Sequence, residues 1–197
     1  MNRRTLIAFA AAVLFTGTAA FAQTSTWLID KNHSQVDFQT RHMGLSNVRG
    51  SLTGINGTFT WDDKDVTKSA IDVTIDASTV DTSVDARNKH LKSPDFFNIE
   101  KYPTLIFKST SVKRTGAGKL QVIGDLTLAG VTKSVTLDVD GPATPQEQKS
   151  QQGTKIVTGF SASGTLKRSD FNFGPKFPSA VISDEVKFTI DAEAAKQ

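Results

Sequence analysis

The chain has 197 residues, with 23 Lys and Arg against 20 Asp and Glu, and no cysteine. The missing cysteine excludes a disulfide scaffold, a thiolate nucleophile, soft-metal sites and a lipid anchor on that residue type. The formal charge of +3 is spread without basic clusters, so nothing points to nucleic acid as a partner.

The first segment, "MNRRTLIAFAAAVLFTGTAAFA", has a basic start at Arg3 and Arg4, an apolar run from Leu6 to Phe15, and Ala20-Phe21-Ala22 as a cleavage site. That order reads as a secretory signal peptide over residues 1–22, and its apolar run is shorter than the ~20 residues a membrane-spanning helix needs. The residues after the arginine pair favour the general export route over a twin-arginine one. Cleavage removes two basic residues and no acid, leaving 21 basic against 20 acidic side chains and a charge of +1. Residues 23–197 fall within the size range of one domain, and no later stretch is long and apolar enough to cross a bilayer as a helix.

From Trp27 onward, apolar and polar residues alternate over short runs bounded by Gly, Asn, Asp and Pro, which is the pattern of strands. Val36, Phe38 and Thr40 share a face, as do Ile71, Val73 and Ile75. Leu105 and Phe107 repeat the pattern, followed by Leu120, Val122, Leu126 and Leu128 around Gly124, and by Val135, Leu137 and Val139. Phe160, Ala162 and Leu166, then Val186, Phe188 and Ile190, complete it. The turn signals "WDDKD", "RTGAGK" and "LAGVTK" sit where hairpins place them, and "GPATPQEQKSQQGT" reads as a long polar hairpin tip. "GTFTWDDKDVTKSAIDVTID" and "GDLTLAGVTKSVTLDVD" echo each other around Val-Thr-Lys-Ser, as expected of similar hairpins reusing similar turn chemistry.

Period two breaks at "SVDARNKHLKSPDFFNIEKYPT". Asp85 to Lys92 suits a short helix that Pro94 stops, and an apolar corner follows. The expected fold is therefore all-β and antiparallel, a sandwich or a closed barrel, with a short helical excursion near residues 85–99. Phe96, Phe97, Ile99 and Tyr102 in this corner, and Phe171, Phe173 and Phe177 in "SDFNFGPKFP", sit among turn residues. If both segments meet at one barrel end, they form an apolar rim that serves as ligand portal or as structural plug.

Candidate chemistry is sparse. His33, His42 and His90 match no metal-ligand spacing, and there is no Gly-x-Ser-x-Gly elbow. Asp62-Asp63 and Asp184-Glu185 fall in turns, where solvated acids are expected. His42 shares parity with Val36 and Phe38, so it reads either as a core histidine with a backbone partner or as a polar contact at a cavity mouth.

The stretches "IDKNHSQVDFQTRHMGLSNVRGSL", "DARNKHLKSPDFFNIEKYPTLIFKST", "GDLTLAGVTKSVTL" and "ASGTLKRSDFNFG" resemble the YceI-like family, across essentially the whole chain after the signal segment and in the family's order. The family's "HLRSxDFFD" block falls on His90 to Asn98, with Lys92 where arginine is usual and Asn98 where aspartate is usual. Its "RSDFxxG" block falls on Arg168, Ser169, Asp170, Phe171 and Gly174. The resemblance implies a lipocalin-like, eight-stranded antiparallel β-barrel. It also implies a periplasmic carrier or store for a polyisoprenoid or similar long-chain amphiphile, with no catalytic residues and no cofactor beyond that non-covalent isoprenoid or acyl ligand.

On this reading the expected channel wall is Val36, Phe38, His42, Ile71, Val73, Leu105, Phe107, Leu126, Leu128, Phe160 and Phe188. An eight-stranded barrel either fills with side chains or holds one small ligand, so inward residue size decides which. Expected partners are the lipid, transient membrane contact and, because relatives are often dimeric, a second copy of the chain. Two other readings stay open: a periplasmic interaction or stress module with a solid core, and an enzyme on lipid or quinone using His42 or His90 as acid-base group.

Overall fold

The computed structural model describes residues 24–151 and 153–197, so the export reading of residues 1–22 lies outside the described residues. The strands are β1 (Thr24–Ile29), β2 (Gln35–His42), β3 (Ser46–Leu52), β4 (Ile55–Asp62), β5 (Ala70–Asp76), β6 (Thr104–Gly116), β7 (Lys119–Leu128), β8 (Val131–Asp140), β9 (Gln146–Ser150), β10 (Gly153–Lys167) and β11 (Glu185–Lys196). The helix α1 (Asp85–Lys92) lies between β5 and β6. Eight strands close an antiparallel barrel in the order β11-β1-β4-β5-β6-β7-β8-β10, with β10 returning to β11. Closure removes the open sheet edges of those strands.

Strands β2 and β3 follow from one bent hairpin. β1 and β2 run end to end along the same edge of β11, with Trp27 opposite Lys196 and Gln39 opposite Lys187. β3 and β4 follow them in the same way, as Val36 faces Leu52 and Leu28 faces Thr58. Gly54, at φ +68, makes the kink between β3 and β4. Such a backbone angle is costly for any residue with a Cβ. Past this kink β4 stays paired with β5 while β3 departs. The opening between β3 and the upper ends of β5 and β6 is closed by residues 77–103. Ser51 bridges to Asp81, Thr53 N–H donates to Thr79 Oγ1 at 3.0 Å, and Ala77 N–H donates to Pro103 O at 2.9 Å.

Period-two alternation puts one apolar face of each strand inside. At the end marked by the β6–β7 hairpin the core is filled by Trp27, Phe59, Val66, Val112, Leu120 and Val122, all buried. Trp27 and Phe59 stack at 5.8 Å, Phe160 meets Phe59 edge-on at 5.7 Å, and the Trp27 indole N–H donates to Ser25 Oγ at 2.9 Å. The predicted polar tip at residues 141–154 is a hairpin, formed by β9 against the start of β10.

Candidate binding cavity

Above the filled end the barrel encloses a cavity of about 460 Å3, within the ~300–1,000 Å3 range of small-molecule sites. Its wall includes Val36, Phe38 and His42 from β2, Ile71 and Val73 from β5, and Leu105 and Phe107 from β6. Leu126 and Leu128 come from β7, Phe160 from β10 and Phe188 from β11. All eleven residues picked out by parity thus line one space. Val135, Leu137 and Val139 of β8 line it too; their parity is equally legible, yet sequence reasoning leaves them off the wall.

A hollow interior with so many phenylalanines needs an account, because rings pointing at the axis would fill it. The answer lies in glycines on neighbouring strands. Phe38 lies over Gly50, Phe107 over Gly124 and Phe188 over Gly164. Gly50 and Gly164 are the direct cross-strand partners of Phe38 and Phe188. Each ring occupies the volume a Cβ would take and lies against the wall instead of crossing the lumen.

The two phenylalanine-rich segments meet at the upper end. Phe96 stacks on Phe177 at 5.2 Å and meets Phe173 at 5.4 Å, while Phe97 meets Phe173 edge-on at 4.8 Å. The His90 ring abuts Phe96 at 5.1 Å and Phe177 at 5.6 Å. Edge-to-face and offset contacts of this kind add to simple burial. Phe96, Phe97, Phe173 and Phe177 all line the cavity. Phe171, Ile99 and Tyr102 do not. Phe171 is only 2% exposed and plugs the core, Ile99 packs against that core from outside the cavity, and Tyr102 covers Gly130 in the β7–β8 turn.

Arg168 organises the segment that carries Phe173 and Phe177. It is buried, and its guanidinium donates to the carbonyls of Phe173, Gly174, Phe177, Ile182 and Ser183. A rigid planar fork with five donors suits that task, which one ammonium could not perform. Ser169 donates from its backbone N–H and from Oγ to Asp184, at 2.9 and 2.8 Å. These bonds hold the Asp184 carboxyl below its ordinary range. Gly174, at φ +63, leaves room for Phe96, whose ring a Cβ would approach to 2.5 Å. Asn98 and Asn172 both sit at positive φ, a conformation asparagine tolerates better than most residues.

The polar residues of the wall lie at this upper end. They are Thr40, Arg41, His42, Thr82, Arg87, His90 and Arg168. His42 is exposed at the mouth, where its backbone bridges to Ile182. His90 Nε2 lies 3.2 Å from Asp95, and Lys176 Nζ lies 2.6 Å from the other oxygen of that carboxylate. Hydrogen bonds from Lys176 first, then His90, hold Asp95 below the usual carboxylate range. Arg87 donates from Nε and Nη2 to the Oγ1 and carbonyl of Thr82, both at 2.8 Å. Sequence reasoning misses Arg87 and Thr82 as site residues: Arg87 lies in a stretch that carries the family resemblance, but no periodicity there aims it at the cavity, and Thr82 has neither signal. Among the described residues no group of three or more His, Asp or Glu is placed to hold a metal ion.

The YceI-like domain matches residues 27–194. Protein YceI of Escherichia coli is 39% identical over 193 residues, covering 97% of this chain and 96% of that protein. The crystal structure of Burkholderia cenocepacia BcnA superposes with a TM-score of 0.71 at 23% identity, covering 84% of this chain and 98% of the other. A polyisoprenoid-binding domain from Saccharophagus degradans, implicated in plant cell wall breakdown, has the same fold at a TM-score of 0.62 and 16% identity, over 87% of this chain and 98% of its own. The match runs from the middle of β1 almost to the end of β11 and so takes in the closed barrel, its cavity and the phenylalanine mouth: this chain belongs to the YceI-like family.

Proposed function

We propose that this protein is a carrier or store that sequesters one long-chain amphiphile, a polyisoprenoid or similar lipid, with its tail in the barrel. The observation that carries this reading is an apolar cavity of about 460 Å3, filled in below by Trp27 and Phe59 and reaching a phenylalanine-rich mouth above. An interaction module with a solid core has no use for such a space. Relatedness to a fold that serves as a polyisoprenoid-binding domain supports the ligand class. At ~0.8 kcal/mol per methylene, a tail of about 15 carbons supplies roughly 12 kcal/mol, on the scale of the ~4–15 kcal/mol lost on association. Affinity then follows tail length before head group. The protein binds its ligand and does not transform it.

The reading includes export to the periplasm through residues 1–22. It also includes contact with a bilayer at the mouth, where Met43 and Leu45 on the β2–β3 turn are 56% and 79% exposed. The test is native mass spectrometry and organic extraction of protein taken from a periplasmic fraction. A co-purified long-chain lipid is expected. Protein that is empty and takes up no prenyl or acyl lipid overturns the carrier reading, and protein confined to the cytoplasm overturns the location.

A further inference from the structure

We infer that the amphiphile carries an anionic head, a carboxylate or phosphate, held at the cavity mouth by Arg87; this rests on the carrier reading and names the class of ligand. Among the described residues, the wall of the cavity contains three arginines and two histidines and not one aspartate or glutamate. A lipid carrier needs apolar lining, and nothing about holding a tail calls for charges of a single sign.

The five basic groups are not equivalent. Arg168 has given its donors to five backbone carbonyls and has none to offer a ligand. His90 is engaged with Asp95 at 3.2 Å. Arg41 is exposed and spans the β2–β3 turn, bonding Gly44 O and Asn47 Oδ1, and His42 stands beside it at the rim. Arg87 differs from all of these. It is half-buried, and one side of its fork is pinned by Nε and Nη2 to Thr82, which is itself 6% exposed and hydrogen-bonded to Asn88.

Among the described residues Nη1 of Arg87 has no protein partner, and none of its nitrogens is in an ion pair. Of the acids closest along the chain, Asp81 accepts from Ser83 N–H and Asn88 Nδ2, and Asp85, in the first turn of α1, forms no ion pair with Arg87 among the described residues. A guanidinium drawn partly out of water beside an apolar wall is costly without a counter-charge. Its remaining donors match a two-oxygen anion in geometry and charge. A neutral quinone, alcohol or amide head offers no such compensation.

The test is a matched series on one tail, below micelle-forming concentrations: hexadecanoic acid, hexadecyl phosphate and hexadecanol, with inorganic phosphate alone as a further arm. Wild-type protein should bind the acid and the phosphate ester at least roughly tenfold tighter than the alcohol. The gap should narrow with added salt. Arg87→Gln should bring acid and phosphate-ester affinity down to the level of the alcohol and so erase the gap, with an unchanged melting temperature showing that the barrel is intact. Should that variant fail to fold, the wild-type series decides alone.

Equal affinity for acid and alcohol overturns the inference, as does a preference that survives Arg87→Gln. Inorganic phosphate binding as tightly as hexadecyl phosphate overturns it too, by marking a phosphate site independent of any tail. Binding of the alcohol without the preference leaves the carrier reading standing and removes only the head group. Binding of no member of the series overturns the inference, and the carrier reading falls with it when prenyl lipids are not taken up either.

Discussion

Gly164 gives the sharpest test of how this barrel stays hollow. It pairs directly with Phe188, whose Cζ would lie 2.5 Å and whose ε carbons would lie 3.1 Å from a Cβ placed there. Carbon atoms at rest sit about 3.5–4.0 Å apart, so in Gly164→Ala the ring retreats by about 1 Å or more, and the lumen is the open direction. The backbone at Gly164 is extended and admits any L-residue, so the strain falls on the ring alone. Overpacking costs about 1–3 kcal/mol, and replacing a strand glycine returns about 0.5–1 kcal/mol, for a net loss of up to about 2.5 kcal/mol. If the displaced ring excludes two methylenes of a tail, binding weakens by about 1.6 kcal/mol, roughly 15-fold. Displacement of a fluorescent fatty acid measures this in a double-mutant cycle with Phe188→Ala. On the alanine background the added methyl has no ring to move, so Gly164→Ala should become nearly silent. An equal loss on both backgrounds refutes the reasoning, as does unchanged affinity in the single variant.

Arg168→Met removes the donors that five carbonyls share; it should cost about 3 kcal/mol or more in urea denaturation and speed amide exchange across residues 172–184, with Arg168→Lys recovering little. Phe97→Ala should cost about 3–5 kcal/mol and also quicken lipid release, because Phe97 closes the mouth against Phe173; lost stability with unchanged release leaves it only a plug. Asp62 accepts from the backbone N–H groups of Lys64 and Asp65 while 1% exposed, so Asp62→Ala strands two donors and should cost about 1–3 kcal/mol. The carboxyls of Asp81, Asp95 and Asp184 are all held below their ordinary 3.8 by hydrogen bonds made in the native state. The folded protein therefore binds fewer protons than the unfolded chain in that range, and the stability they contribute is present above the unfolded value and lost as pH falls through the folded ones. Asp184→Asn should flatten that acid limb in urea midpoints measured against pH, and an unchanged limb would remove Asp184 from the account.

Inside and outside were legible because strand geometry fixes them locally. Successive side chains point to opposite faces whatever the strand pairs with, so parity alone put Val36, Ile71, Leu105, Leu126 and Phe188 on one surface. Turn chemistry likewise marked the hairpins at residues 114–119 and 128–133, and Pro94 marked the end of α1. The two copies of Val-Thr-Lys-Ser show where local reading stops. Val66–Lys68 forms a 3-10 turn capped by Asp65, whereas Val131–Ser134 begins β8 in ladder with β7. The same four residues took different structures because different partners lay beside them.

Function depended on distances that no local pattern encodes. Phe171 and Phe173 lie two residues apart in one turn-rich segment, yet the first plugs the core and the second faces the cavity. The hub at Arg168 exists because the chain folds back and brings five carbonyls between residues 173 and 183 around one guanidinium. The sequence by itself determined which side chains face inward, since that needs only the two-residue repeat. Whether the interior was full or hollow was decided in the tertiary structure, where glycines on neighbouring strands give the phenylalanine rings a place against the wall.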